Sequence, residues 1–235
     1  MGSGPSRRAG IATYPSIVRA GVLGSPRRGG CCVACGGGAG VPAGTPPGKR
    51  KKLGDCLKVD ICETNIAGSS LLGVLLTGNT NGVALPHIVR DHELEAIRRT
   101  SPTNVEILRD ERTALGNLIL ANDYGAIVDP SFSTSTIRRL EEILQVEVVR
   151  GHIAGLPYVG SLAVATNRGV ITNPSITEDE RRIIQDVLRV QVEPSTVNGG
   201  VAFIRSGLLA TSHGAVTGPL TVGKELMAVS RVMGL

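Results

Sequence analysis

Cys32-Val-Ala-Cys35, with Cys56 and Cys62 behind it, supplies enough thiols for a tetrahedral zinc site or a redox couple. The spacing argues against both. Five residues separate the second pair, and the first lies inside an apolar run, Cys31-Cys-Val-Ala-Cys35. A redox pair opens a helix beside a parallel strand, and this one is set in a strand pattern. The cysteines read as small core residues, and no metal is assigned. The chain has five cysteines, an odd number, all between Cys31 and Cys62. That is a poor disulfide framework and fits a reducing cytoplasm.

Other motifs are equally incomplete. Gly38-x-Gly40-x-x-Ala43 is a variant of the dinucleotide fingerprint, but Pro42, Pro46 and Pro47 follow where a helix must start. Gly48-Lys49 lacks the earlier glycine and the following hydroxyl of a phosphate-binding loop. His87, His92, His152 and His213 have no metal-ligand spacing, and His213 falls in a turn. No cofactor and no small-molecule substrate follow. The run Lys49-Arg-Lys-Lys52 reads first as a solvated helix face and second as a nucleic-acid contact. Residues 1–58 hold ten basic residues against one acid, Asp55, whereas the remainder is net acidic. With two Phe, three Tyr and no Trp there is no base-stacking platform. No apolar run reaches the ~18 residues of a membrane span. No apolar stretch follows Arg7 and Arg8, so a cytoplasmic protein is expected, without membrane contact.

What must position these residues is a repeat. Gly73-Val-Leu-Leu-Thr-Gly-Asn-Thr-Asn-Gly82 has counterparts at 116–125, 160–169 and 205–214. Each is an apolar strand, a polar turn and a glycine, followed by a second strand that stops at Pro86, Pro130, Pro174 or Pro219. The turn glycines Gly82, Gly125, Gly169 and Gly214 are 43, 44 and 45 residues apart. The pattern predicts hairpins whose turn glycine takes φ > 0. A helix should follow each hairpin. The clearest is Thr177 to Leu188, with a capping box from Thr177 to Glu180 and an apolar face of Ile183, Ile184, Val187 and Leu188. Short strands at 59–61, 105–107, 146–148 and 190–192 close the units. A degenerate first copy runs through Cys31–Cys35, Gly38–Pro42 and a helix over Lys49–Leu57.

No unit of this kind buries its own apolar face. The last unit lacks a closing strand, and Ile17-Val18 can supply it. The expected fold is α/β, a five-bladed pseudo-fivefold propeller, a pentein-like ring of strand, hairpin and helix. One domain covers 16–235, with units near 16–57, 58–103, 104–144, 145–188 and 189–235. Residues 1–15, rich in Gly, Ser and Arg, form an extension expected to be disordered. Rings of this kind include guanidine-modifying enzymes, which use a cysteine nucleophile near the C-terminus. This chain has no cysteine after Cys62, so the enzyme reading loses its central atom.

Ile66-Ala-Gly-Ser-Ser-Leu-Leu-Gly73, Gly78-Asn-Thr-Asn-Gly82, Ala114-Leu-Gly-Asn-Leu118, Asn122-Asp-Tyr-Gly125 and Thr196-Val-Asn198 resemble the archaeal translation initiation factor 6 family. The resemblance covers about Leu57 to Leu235 and implies a monomeric binding protein rather than an enzyme. Its partner would be the large ribosomal subunit, at ribosomal protein uL14 near the sarcin–ricin loop of 23S rRNA. Bound there, it would block the small subunit, with a further role in large-subunit maturation. The residue after each leading glycine is expected to begin a strand at one rim, which selects Gly30, Val74, Asn117, Ser161 and Ser206 as contacts. Asn117 either pairs with a partner's backbone or satisfies a neighbouring unit; the family string favours contact. Phe203 reads as core first and as an interface anchor second, and Leu162 is a contact of the same kind. A generic RNA-binding module, using the basic first unit, is the remaining alternative.

Overall fold

A hairpin, a helix and a parallel third strand are the local structure that each repeat dictates. The computed structural model, which describes residues 17–20, 31–35 and 38–235, contains this unit five times. Strand β1 (Ile17–Arg19) comes first. Unit one is β2 (Val33–Cys35), β3 (Gly38–Pro42), α1 (Pro47–Leu57) and β4 (Asp60–Thr64). Unit two is α2 (Leu72–Leu75), β5 (Thr77–Gly78), β6 (Gly82–Pro86), α3 (Asp91–Thr100) and β7 (Asn104–Leu108). Unit three is α4 (Leu115–Leu118), β8 (Ile119–Ala121), β9 (Gly125–Val128), α5 (Thr134–Leu144) and β10 (Glu147–Arg150). Unit four is α6 (Val159–Leu162), β11 (Ala163–Ala165), β12 (Gly169–Thr172), α7 (Glu178–Leu188) and β13 (Gln191–Pro194). Unit five is a 3-10 turn (Ile204–Ser206), β14 (Leu208–Ala210), β15 (Ala215–Thr217) and α8 (Gly223–Met233).

Within each unit the first two strands are antiparallel, and the second pairs in parallel with the strand beyond the helix. Unit five has no strand after α8. Its third strand is β1, parallel to β15 with Ile17 opposite Ala215, as the sequence led us to expect. The first strands neighbour one another in a cycle, β2 by β5, β5 by β8, β8 by β11, β11 by β14 and β14 by β2. The result is a repeated α/β ring. Five clusters, mostly of Val, Ile, Leu and Ala with Cys32, Cys56 and Met233, fill it, and Phe132 is the single large aromatic among them. The extension over 1–15 and the register positions Gly29 and Gly30 lie outside the described residues.

The helices tie the units together. Helix α5 packs on β6, α7 on β9, α8 on β12 and α1 on β15, each against the unit before its own. This offset corrects the expected role of the turn glycines. None of Gly82, Gly125 and Gly169 has a positive φ. A Cβ at these positions would instead lie 2.0 Å from the Ile143 carbonyl oxygen, 2.3 Å from that of Val187 and 2.3 Å from that of Val232. Glycine is needed because the last turn of the next helix passes directly over the strand. A second correction concerns the leading glycines, which open short helical turns rather than strands. A Cβ on Gly116 would meet the Gly73 carbonyl at 2.1 Å, and one on Gly160 the Gly116 carbonyl at 2.2 Å, so α2, α4 and α6 stack backbone on backbone. In unit five Arg205 stands in that place, and its Nε donates to the Gly160 carbonyl at 2.6 Å.

The capping box from Thr177 to Glu180 forms as read, but Ile183 is exposed, and the buried side of α7 is Ile184 and Leu188. Gly125→Ala should destabilise the fold by about 3 kcal/mol, an overpacking cost against an immovable carbonyl. Gly48→Ala, which meets open space in α1, should be neutral or stabilising by up to about 1 kcal/mol. Urea unfolding of both variants checks this pair, and a neutral Gly125→Ala would refute the close-approach explanation.

Candidate interaction surface

The ring has two ends. At one, the hairpin turns meet the C-termini of the long helices. At the other, loops following the outer strands lead into the short helical turns, and the long helices begin. The four described contact positions lie at this second, loop end. Val74, Asn117 and Ser161 are the third residues of α2, α4 and α6, and Ser206 is the third of the 3-10 turn. The four turns pack side by side in order, and all four residues are half-buried. They begin no strand, because the backbone stacking just described favours a helical turn there. The Ser206 hydroxyl donates to the Phe203 carbonyl at 2.7 Å. The Asn117 side-chain amide makes no hydrogen bond with the described residues, its backbone N–H donating to the Ala114 carbonyl at 3.0 Å, which removes the reading that the side chain satisfies a neighbouring unit.

Leu162 is 0% exposed and sits in the core of unit four, so it has no surface to offer. Phe203 goes the other way, being 50% exposed rather than core. It occupies the position immediately before its short turn. The same register position holds Leu71 in unit two and Tyr158 in unit four, also exposed, the latter at 49%. Leu156, Ile88, Leu220 and Val222 add exposed apolar surface at the same end. Sequence reasoning missed these residues, although the repeat register aligns Leu71 and Tyr158 with Phe203. In a chain so poor in aromatics, an apolar residue beside an apolar segment reads as core.

The loops carrying this rim are held by carboxylates. Glu93 accepts from the backbone N–H groups of Arg90, Ala67 and Gly68 at 2.7 to 2.9 Å. Glu180 does the same with Thr177, Ala154 and Gly155. Glu225 takes Val222, Gly199 and Gly200 together with the Thr196 hydroxyl. Each carboxylate thus caps its own helix and clamps the loop before it, whose Ala67, Ala154 or Asn198 is left-handed. Burial alone pushes these carboxyl pKa values up; the converging N–H donors outweigh it and hold all three below the ordinary glutamate range. Unit three differs because Thr136 stands where units two, four and five have Glu. There the Thr136 hydroxyl and the Arg112 guanidinium both donate to Asp110. Arg112 also donates to the Ser131 carbonyl at 2.6 Å and lies 4.8 Å from the Phe132 ring centre. Burial raises the Asp110 pKa, but the Arg112 N–H, Thr136 and the guanidinium together bring it below the usual value.

At the turn end a cavity of about 390 Å³ opens on the ring axis, lined by Asn79, Asn122, Asp123, Asn167 and His213 among others. Its polar groups largely satisfy one another. The Asn167 amide donates to Asp123 at 2.5 Å, and the Thr80 N–H donates to the same carboxylate at 2.8 Å. The thiols are no better placed for chemistry. Cys56 donates to the Ala215 carbonyl and Cys62 to that of Ala96, and burial pushes both thiol pKa values up, away from a reactive thiolate. Among the described residues, no three His, Cys, Asp or Glu side chains group closely enough to hold a metal ion. Nor is any helix among them long and apolar enough to cross a membrane.

The model of the eIF-6 family matches residues 17–232. The chain is 36% identical over 218 residues to translation initiation factor 6 of Staphylothermus marinus, spanning 92% of this chain and 96% of that one. It is 48% identical over 191 residues to the factor of that name from Pyrococcus furiosus, covering 79% and 84% of the two chains. With the factor of that name from Cenarchaeum symbiosum it shares 46% identity over 191 residues, covering 81% and 86%.

The clamps make the rim acid-sensitive. Their folded pKa values lie below the unfolded one, about 4.3, so their stabilisation is present above that value and is lost as pH falls through the lowered one. Glu93→Gln should cost roughly 1–3 kcal/mol at pH 7. The deficit should shrink in urea titrations repeated below about pH 4. A deficit that does not change with pH would show that the carboxylate charge is not what holds the loop.

Proposed function

We propose that this chain, which belongs to the eIF-6 family, is a translation factor that binds the large ribosomal subunit through the loop end of its ring and so keeps the small subunit from joining. The single observation that carries the binding surface is the set Leu71, Tyr158 and Phe203, exposed and largely apolar at one register position of units two, four and five. Aromatic anchors of this kind bury 150–250 Å² each when covered and dominate the energy of protein interfaces. Asn117, with an unpaired amide in the same arc, supplies a directional polar contact beside them. Val74, Ser161 and Ser206 complete the inner rim.

The action is steric. No bond need be made or broken, since a rigid body seated on the joining face excludes the small subunit by volume alone. The ring is then a five-bladed propeller used as a platform, acting in the cytoplasm as a monomer without a cofactor. Ribosomal protein uL14 and the neighbourhood of the sarcin–ricin loop are the proposed seat, and the same occupancy would serve large-subunit maturation. The guanidine-modifying alternative has no support, because no thiol follows Cys62 and the axial polar groups are engaged with each other.

Sucrose-gradient co-sedimentation with separated subunits tests this. The protein should travel with the large subunit and not the small one. Phe203→Ala and Tyr158→Ala should each weaken binding about tenfold or more, as hot-spot truncations do. Asn117→Arg should abolish it by placing an uncompensated charge in the seat. Migration with the small subunit, or no migration with the large one, would overturn the proposal.

A further inference from the structure

The five units act as internal controls for one another, and α1 is the exception among them. Helix α3 pairs Arg99 with Glu95, α5 pairs Arg139 with Glu142 and Glu106, α7 pairs Arg181 and Arg182 with Glu178 and Asp179, and α8 pairs Arg231 with Glu193. Helix α1 carries Lys49, Arg50, Lys51 and Lys52 in succession, with Lys58 at its C-cap. Of the run at 49–52, Arg50 alone forms an ion pair among the described residues, with Glu63 of β4, while Lys49, Lys51 and Lys52 are exposed. Beside the helix runs an open groove of about 570 Å³ lined by Arg50, Lys51, Lys58, Asp55 and Asp60.

This arrangement works against the stability of the helix. Cations near a helix N-terminus oppose the macrodipole, and no acid occupies the first turn of α1. The helix has little amphipathic character to compensate; Leu53, Cys56 and Leu57 are what it buries. The charges are arranged for something outside the chain. Four consecutive residues span about one helical turn, so Lys49–Lys52 cluster in the N-terminal half of α1, with Lys58 beyond its far end.

We infer that this basic cluster is a second contact surface, made by charge where the rim is apolar, that binds the phosphate backbone of RNA. Closely spaced exposed cations match a polyanion whose charges recur along a chain, and binding gains from the counterions released. Such contacts position without reading sequence. Among the described residues no aromatic lies on α1, and Tyr124 and Tyr158 are elsewhere on the ring, which fits a surface that touches backbone and not bases. The inference does not rest on the ribosomal reading.

The test is fluorescence anisotropy with a labelled single-stranded RNA of mixed sequence, from about 50 to about 200 mM salt. The variant is Lys49→Gln, Lys51→Gln, Lys52→Gln. A second triple variant, Arg99→Gln, Arg138→Gln, Arg182→Gln, removes equal charge from the other helices. The α1 variant should bind at least tenfold more weakly at the lowest salt, and its log–log salt slope should be shallower by about 2, near 0.7 per lost phosphate contact. Its melting temperature should equal or exceed that of the wild type, because the cations oppose the dipole. The second variant should bind nearly as the wild type does. Equal losses in both variants, an unchanged salt slope, or tighter binding of a poly-glutamate peptide than of RNA would each overturn the inference. Phe203→Ala should leave this RNA binding intact, so failure here and failure of the ribosomal proposal are told apart.

Discussion

In units two to five the hairpin turn caps a helix that belongs to the next unit, and the rest of the structure depends on that contact. The last carbonyls of a helix have no partner within it. The Asn79 amide donates to the Leu144 carbonyl at the end of α5, and Asn122 to the Leu188 carbonyl at the end of α7. Arg168 donates to the Gly234 carbonyl beyond α8, and the Thr211 hydroxyl to the Leu57 carbonyl that ends α1. The last of these crosses from unit five to unit one, beside the seam where β1 completes the final sheet. Asn79 and Asn122 each organise their own turn with the side-chain oxygen while the nitrogen reaches across. The same closeness forbids a Cβ at the start of β6, β9 and β12. The ends of α1, α5, α7 and α8 are thus satisfied by a neighbouring unit, and these hydrogen bonds help fix the order of the ring.

The two ends of the ring therefore do different work. The turn end spends its polar groups on ties between units, leaving an axial cavity whose lining is mostly engaged. The loop end is held by buried carboxylates that fix loops with left-handed residues, and this frees its apolar side chains to face outward. A surface fixed in advance loses little conformational freedom on binding, which favours affinity. Unit three breaks the pattern by replacing the glutamate clamp with the pair of Asp110 and Arg112. The rim is thus polar in one sector and apolar in its neighbours, so the partner it fits need not share the ring's pseudo-symmetry.

Much of this was legible in the sequence. The period of 43 to 45 residues set the number of units, and the missing last strand pointed to Ile17 as the closing one. The Thr177–Glu180 box located a helix start because capping is a local interaction. Properties set by a neighbour were not legible. Gly125 reads as a turn residue, but its constraint comes from Val187, 62 residues on, which no local rule reveals. The short turns at Gly73, Gly116 and Gly160 read as strands because their residues are apolar and β-branched or leucine; stacking between units overrides that preference. Phe203 and Leu162 exchanged expected roles for one reason. Leu162 ends the short turn of unit four and Phe203 precedes that of unit five, and only the orientation of the turn decides which side chain faces the core.

Hydroxyl-radical footprinting of the chain alone and with purified large ribosomal subunits tests the central claim most directly, because the two ends carry matched reporters. Tyr158 and Phe203 are exposed at the loop end, and Tyr124 is similarly exposed at the turn end. The account predicts that large subunits protect Tyr158 and Phe203 from oxidation while Tyr124 reacts as it does in the free protein. Protection of Tyr124 with Tyr158 and Phe203 left reactive would contradict it, placing the partner on the wrong end of the ring.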